Sequence, residues 1–145
     1  GGRDIAPQDV ENHIFGYSVF NDISARTLQH SHMQWYRGKS LDGFCAMGPW
    51  IVTRDELPMP LNLNVESRLN GEVRQHSNTR AFIRDIPKLI SELSQGITLE
   101  AGDIIISGTP AGVGMGFDPP RYMKPGDVIE CEVEGIGVLR NRIRD

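Results

Sequence analysis

The chain has 145 residues with a formal net charge of -4, 39% hydrophobic and 23% charged residues, and two cysteines. That length supports one domain with its own core, and the composition is that of an ordinary soluble globular protein. The acidic balance argues against a nucleic-acid partner, no apolar run approaches the roughly 20 residues of a membrane helix, and two thiols are not a disulfide framework.

Neither Cys45 nor Cys131 belongs to a Cys-x-x-Cys pair. Both read as small core residues in a reducing, cytoplasmic compartment. No signal-peptide pattern opens the sequence. It starts Gly-Gly-Arg-Asp without an initiator Met, which reads as a fragment or a processed product. A polar lead-in follows, with one helical turn expected at 7–11.

The first strand is predicted at 17–20, an apolar run that favours extended backbone. Asn21 and Asp22 end it. Ser24 is placed to cap a helix from Ala25, where its hydroxyl could take an unpaired backbone N–H. Arg26 and Gln29 are three apart and share a face of that helix. Residues 31–38 read as a loop over a site, with Trp35 and Tyr36 either facing it or pinning the loop to the core. A second strand is expected at 50–53. Residues 61–69 alternate with period two, Leu61, Leu63, Val65 and Leu69 on one side, as in a half-buried strand. Asn70-Gly71 is a strong hairpin signal, and 72–76 is the return strand.

Asp85 is a good N-cap for a packing helix with Ile86, Leu89, Ile90 and Leu93 at helical spacing, closed by Gly96. Gly102-Asp103 and Gly126-Asp127 are similar turns feeding strands at 104–107 and 128–133. A last strand is expected at 138–143. About seven strands and two short helices make a β-rich α+β domain with a mixed or largely antiparallel sheet curled on itself.

Asp22 at a strand end, Arg26 and Gln29 on the next helix and Lys39 soon after form a polar cluster. It suits an anionic, oxygen-rich ligand held beside a metal ion. Gly38-Lys39-Ser40 imitates the end of a phosphate loop, but Met33 stands where that loop requires Gly. The glycine-rich 108–116 lacks dinucleotide spacing; its use would be close backbone approach to a ligand. His13, His30, His32 and His76 show no metal spacing, although His30 or His32 could face the cluster.

Three segments carry a resemblance: Asn-Asp-Ile-Ser-Ala-Arg from Asn21, Gly-Lys-Ser-Leu-Asp-Gly-Phe from Gly38, and Ser-Gly-Thr-Pro-Ala-Gly-Val-Gly from Ser107. Together they resemble the fumarylacetoacetate hydrolase family, from about Gly16 to the end. The resemblance implies that family's β-roll as one catalytic domain over 1–145, lacking an N-terminal part. It implies that Asp22 ligates a divalent ion, Mg2+ or Mn2+ with Ca2+ possible. It gives Lys39 and Arg26 catalytic roles and makes Arg26, Gln29 and Thr109 contacts to substrate. A small oxo-acid substrate and a homodimer are implied as well. The implied reaction is C–C hydrolysis of a 2-oxo or 1,3-diketo acid, acylpyruvate-like or fumarylacetoacetate-like. The alternative is isomerisation or decarboxylation of a 2-hydroxyhepta-2,4-diene-1,7-dioate from aromatic breakdown.

The chain departs from the family in three places. Nothing upstream of Asn21 matches the Glu-x-Glu pair that supplies two further metal ligands. Glu130-Cys-Glu132 and Glu132-Val-Glu134 have the spacing but lie near the C-terminus. The water-activating His has no match, and Met33 stands where some members have a substrate-binding Tyr. An inactive fragment or a binding module is therefore the other expectation.

Overall fold

Asn70 and Gly71 both take positive φ, 52° and 83°, and close β3 (Asn64–Leu69) onto β4 (Glu72–Asn78) as the sequence predicts. The computed structural model describes residues 1–31 and 33–144. Around this hairpin a four-stranded antiparallel sheet runs β4-β3-β5-β6, with β5 at Val128–Val133 and β6 at Gly137–Arg142. A second sheet pairs β1 (Gly16–Asn21) with β2 (Ala46–Thr53), also antiparallel. The β-rich α+β expectation holds. Every strand pair is antiparallel, and the described strands form two open sheets without closing a barrel.

Two apolar clusters hold these layers. Val19, Val52, Ile136 and Leu139 are buried together and seat the β1–β2 ribbon on β5 and β6. Ile5, Val10 and Ile90 bury the inner face of α3 (Ile86–Leu93) against the N-terminal 3-10 turn Pro7–His13. Burying side chains of this size contributes about 1.5–3 kcal/mol each. Asp85 caps α3 as expected, accepting the Lys88 N–H at 2.9 Å.

Several expectations are corrected. Residues 104–107 form no strand. The run has the right residue types, but among the described residues no neighbouring strand reaches it, and Ile104 and Ile106 are 61% and 47% exposed. A strand needs a partner as well as a propensity. The strand expected at 61–69 begins only at Asn64, and that at 50–53 begins four residues earlier, at Ala46. The described residues form three α-helical segments rather than two: α1 (Arg26–Ser31), α2 (Tyr36–Lys39) and α3. Part of the loop expected at 31–38 is thus α2. Its aromatics do not pin it to the core, since Trp35 and Tyr36 are 63% and 80% exposed. Cys45 is exposed and its thiol faces the Lys39 carbonyl, whereas Cys131 is half-buried as a core residue should be. Burial pushes the Cys131 thiol up to about 11, which keeps it protonated and inert.

Candidate active site

β1 carries the chain to Asn21 and delivers Asp22 at its end. Ser24 does not cap α1. Its hydroxyl donates back to the Asp22 carbonyl at 3.1 Å and tightens the turn. The backbone N–H of Ala25 is satisfied instead by the Gly38 carbonyl, 2.9 Å away. This bond joins the start of α1 to α2.

Gly38 fits that junction because it has no side chain. A Cβ there would lie 2.7 Å from the Gln29 backbone nitrogen. The close approach sets α2 against α1 and brings Lys39 back to Asp22. Lys39 Nζ donates to Asp22 Oδ2 at 2.5 Å, with the two side chains 26% and 38% exposed. One turn along, Arg26 Nη1 donates to Gln29 Oε1 at 2.8 Å. Gln29 is only 3% exposed, so it lies beneath the guanidinium and holds it. Two cation-centred pairs therefore stand side by side on the α1–α2 junction, partly open to solvent.

Thr109 is carried by the loop that crosses β4. It is exposed, and its hydroxyl accepts from Gln75 Nε2 at 2.7 Å. Among the described residues, no hydrogen bond or ion pair joins Thr109 to Asp22, Arg26, Gln29 or Lys39. His30 is exposed at the end of α1. His76 is paired with Glu66 on the four-stranded sheet, and His13 meets the Gly1 carbonyl. His32 lies outside the described residues. Glu130 and Glu132 do share one face of β5, where both pair with Arg68.

A divalent ion of the hard class takes six or more oxygen ligands, with carboxylates from the protein and waters among them. Asp22 offers one carboxylate, and one of its oxygens is taken by Lys39. Among the described residues no three His, Cys, Asp or Glu side chains converge as a metal site. The residues present do not by themselves fit such an ion. Lys39 also ends α2 instead of opening a helix, whereas a phosphate loop places its Lys at a helix start.

Sequence reasoning missed Gln75 and Gly38. Gln75 sits on β4 directly opposite Ser67, so both are polar residues at positions of the inward-facing parity. Ser67, the polar break in the apolar side Leu61, Leu63, Val65 and Leu69 that runs into β3, was the available signal. For Gly38 the sequence offered only a glycine before a lysine.

The β-rich domain thus sets an acid–lysine pair and an arginine–glutamine pair on one helix junction. Residues 1–144 match the family model for the C-terminal part of fumarylacetoacetate hydrolase, and the chain belongs to that family. Over 142 residues, 98% of the chain, it is 49% identical to oxaloacetate tautomerase YisK of Bacillus subtilis, covering 47% of that protein. A fumarylacetoacetate hydrolase structure from the psychrophile Exiguobacterium antarcticum matches 99% of the chain and 51% of its own, with 52% identity and a TM-score of 0.95. A 2-hydroxyhepta-2,4-diene-1,7-dioate isomerase structure from Mycobacterium marinum covers 99% of the chain and 53% of its own, with 39% identity and a TM-score of 0.87. The chain thus spans about half the length of these relatives. Enzymes of the family generally use a divalent metal. No described helix is long and apolar enough to cross a membrane.

Proposed function

We propose that this chain carries the enolate-stabilising part of an enzyme that moves a small 2-oxo acid between its keto and enol forms. The carrying observation is the Lys39–Asp22 contact beside the Arg26–Gln29 pair. Taking a proton from the carbon next to a ketone puts negative charge on the ketone oxygen. An ammonium donor already held at that oxygen lowers the barrier, because nothing has to reorganise as the charge appears. Asp22 orients Lys39 for this task. Arg26 grips the neighbouring carboxylate with its forked donors, and the enclosed Gln29 acts through it. The Thr109 hydroxyl holds a carboxylate of the same ligand. Keto–enol exchange asks for charge stabilisation and a proton carrier, and this cluster supplies the first.

Support comes from the relatives named as a tautomerase and as an isomerase, since both reactions shift a double bond through an enol. The second reading is C–C hydrolysis of an acylpyruvate-like acid. The name of the Exiguobacterium antarcticum structure favours it, and its cleavage passes through the same stabilised charge. We extend the proposal to a homodimer and to Asp22 as one ligand of a magnesium, manganese or calcium ion. That ion would take its other ligands from outside the described residues.

The test follows decay of enol-oxaloacetate by its ultraviolet absorbance in the protein carrying this chain, beside cleavage of acetylpyruvate. Asp22→Ala should abolish the catalysed decay while circular dichroism stays unchanged. An undiminished rate would overturn the reading. Cleavage of acetylpyruvate without any effect on oxaloacetate would transfer the site to the hydrolytic reading.

A further inference from the structure

Thr109 is held by a side chain from another part of the fold. β3 and β4 slip in register between Ser67 and Arg68: Ser67 faces Gln75, whereas Arg68 faces Val73. Arg74 is the extra residue of that bulge. A bulge takes its residue out of the ladder and bends the strand. Here the Arg74 carbonyl turns toward the 108–114 loop. Gly112, at φ +107°, comes so close that a Cβ would lie 1.9 Å from the Arg74 oxygen. The next residue, Gln75, reaches the same loop with its side chain.

The hydrogen bonds of Gln75 fix its orientation. Its Nε2 donates to the Pro110 carbonyl at 2.8 Å and to Thr109 Oγ1 at 2.7 Å. Its Oε1 accepts from Ser67 Oγ at 2.8 Å. A carbonyl oxygen only accepts, so the amide group facing Pro110 is the NH2 end. The second hydrogen of that NH2 then goes to Thr109 Oγ1. The hydroxyl is an acceptor on that side, and its own proton is left to point away from Gln75. Thr109 is exposed, so that proton is free for a ligand. Ser67 is 5% exposed and locks the far end of the amide.

We propose that Gln75, aligned by Ser67 and aimed by the bulge at Arg74, is a positioning residue that presents the Thr109 hydroxyl as a hydrogen-bond donor to a carboxylate of the 2-oxo acid. This rests on the proposed contact between Thr109 and that carboxylate. Gln75 does not itself touch the ligand. Its effect is on affinity, because it orders a donor that binds a group remote from the reacting carbon. Hydrogen bonds to charged groups are worth enough that loss of one weakens binding by about tenfold or more.

The test is a double-mutant cycle in the protein carrying this chain. It reads KM and kcat for oxaloacetate and Kd for oxalate by calorimetry, oxalate standing in for the enolate and its carboxylate. Thr109→Val should raise KM and Kd about tenfold. Gln75→Met, which keeps length but has no donor, should raise both by a similar factor with kcat within about twofold. It should add nothing in the Thr109→Val background, and it should act fully in Thr109→Ser, which keeps the hydroxyl. Ser67→Ala should move KM in the same direction by less, and it replaces Gln75→Met in the cycle if that variant fails to fold. Unchanged affinity in Gln75→Met beside weakened Thr109→Val would overturn the positioning role and leave the Thr109 contact standing. An equal loss in both backgrounds would also overturn it, since Gln75 would then act independently of the hydroxyl. Unchanged affinity in Thr109→Val would end the Thr109 contact and the positioning role together.

Discussion

Two clusters of opposite charges lie on this chain, and they differ in how much capacity they leave open. Arg68 sits among three carboxylates: Glu66 at 2.6 Å, Glu132 at 2.7 Å and Glu130 at 3.4 Å. Arg140 and His76 take the remaining oxygens of Glu130 and Glu66. The Glu132 and Glu66 hydrogen bonds push the Arg68 guanidinium well above its usual range. Lys39 has one carboxylate, Asp22, and stands on a junction that solvent reaches. A cation shared among three carboxylates ties strands together. A cation with one partner and spare donors can still bind something else.

The largest effect should come from removing the spare cation. Lys39→Met keeps the aliphatic stem and deletes the donor. Its kcat for enol-oxaloacetate should fall about 100-fold or more, the range seen when one charge-stabilising donor is lost. KM should move much less, because the interaction strengthens only as charge develops. A change confined to KM would make Lys39 a binding residue only. Gly38→Ala tests how that cation is held. The new methyl would meet the Gln29 backbone at 2.7 Å, so α2 must move off α1. Overpacking of this kind costs about 1–3 kcal/mol. Thermal melting should show that loss, and kcat should fall about tenfold as Lys39 leaves Asp22. Full activity with normal melting would mean that the junction does not set the site.

The same contrast explains what could be read beforehand. Asn70-Gly71, Asp85 and the alternation ending at Leu69 were legible because each is a local rule: a turn that needs positive φ, a cap, a period of two. The Gly102-Asp103 and Gly126-Asp127 turns show where local rules stop. In both, the Asp side chain accepts a backbone N–H three residues back at 2.8 Å. One turn feeds β5, which lies between β3 and β6, and the other feeds 104–107, which has no strand beside it. The turn is written in four residues; the partner is supplied by the rest of the fold. The candidate site divides likewise. Asp22 and Lys39 stood out as residue types, and Arg26 and Gln29 shared a predicted face. The α1–α2 contact through Gly38 and the Gln75–Thr109 bond join residues that sequence spacing cannot relate.

The smallest effect belongs to the Arg68 cluster, and its size changes with pH. Arg68→Met should lower the melting temperature at pH 7 by a few degrees, because partly exposed ion pairs stabilise weakly, and leave kcat and KM unchanged. In the native protein Arg68, and then His76, holds the Glu66 carboxyl below its ordinary value of 4.5. The folded state then binds that proton less readily than the unfolded chain. The resulting stability is fully present above 4.5 and is lost as pH falls through the lowered folded value. Without Arg68, the carboxylates of Glu66, Glu130 and Glu132 face one another across β3 and β5 with less positive charge between them. Their mutual repulsion should raise the folded Glu66 value, so acidification relieves the variant while it weakens the native protein. The gap between the two melting curves should therefore narrow from pH 7 to pH 4, and added salt at pH 7 should narrow it too. A gap that stays constant across both titrations would mean that Arg68 acts through packing of its stem, and the distinction between the shared cation and the spare one would lose its electrostatic basis.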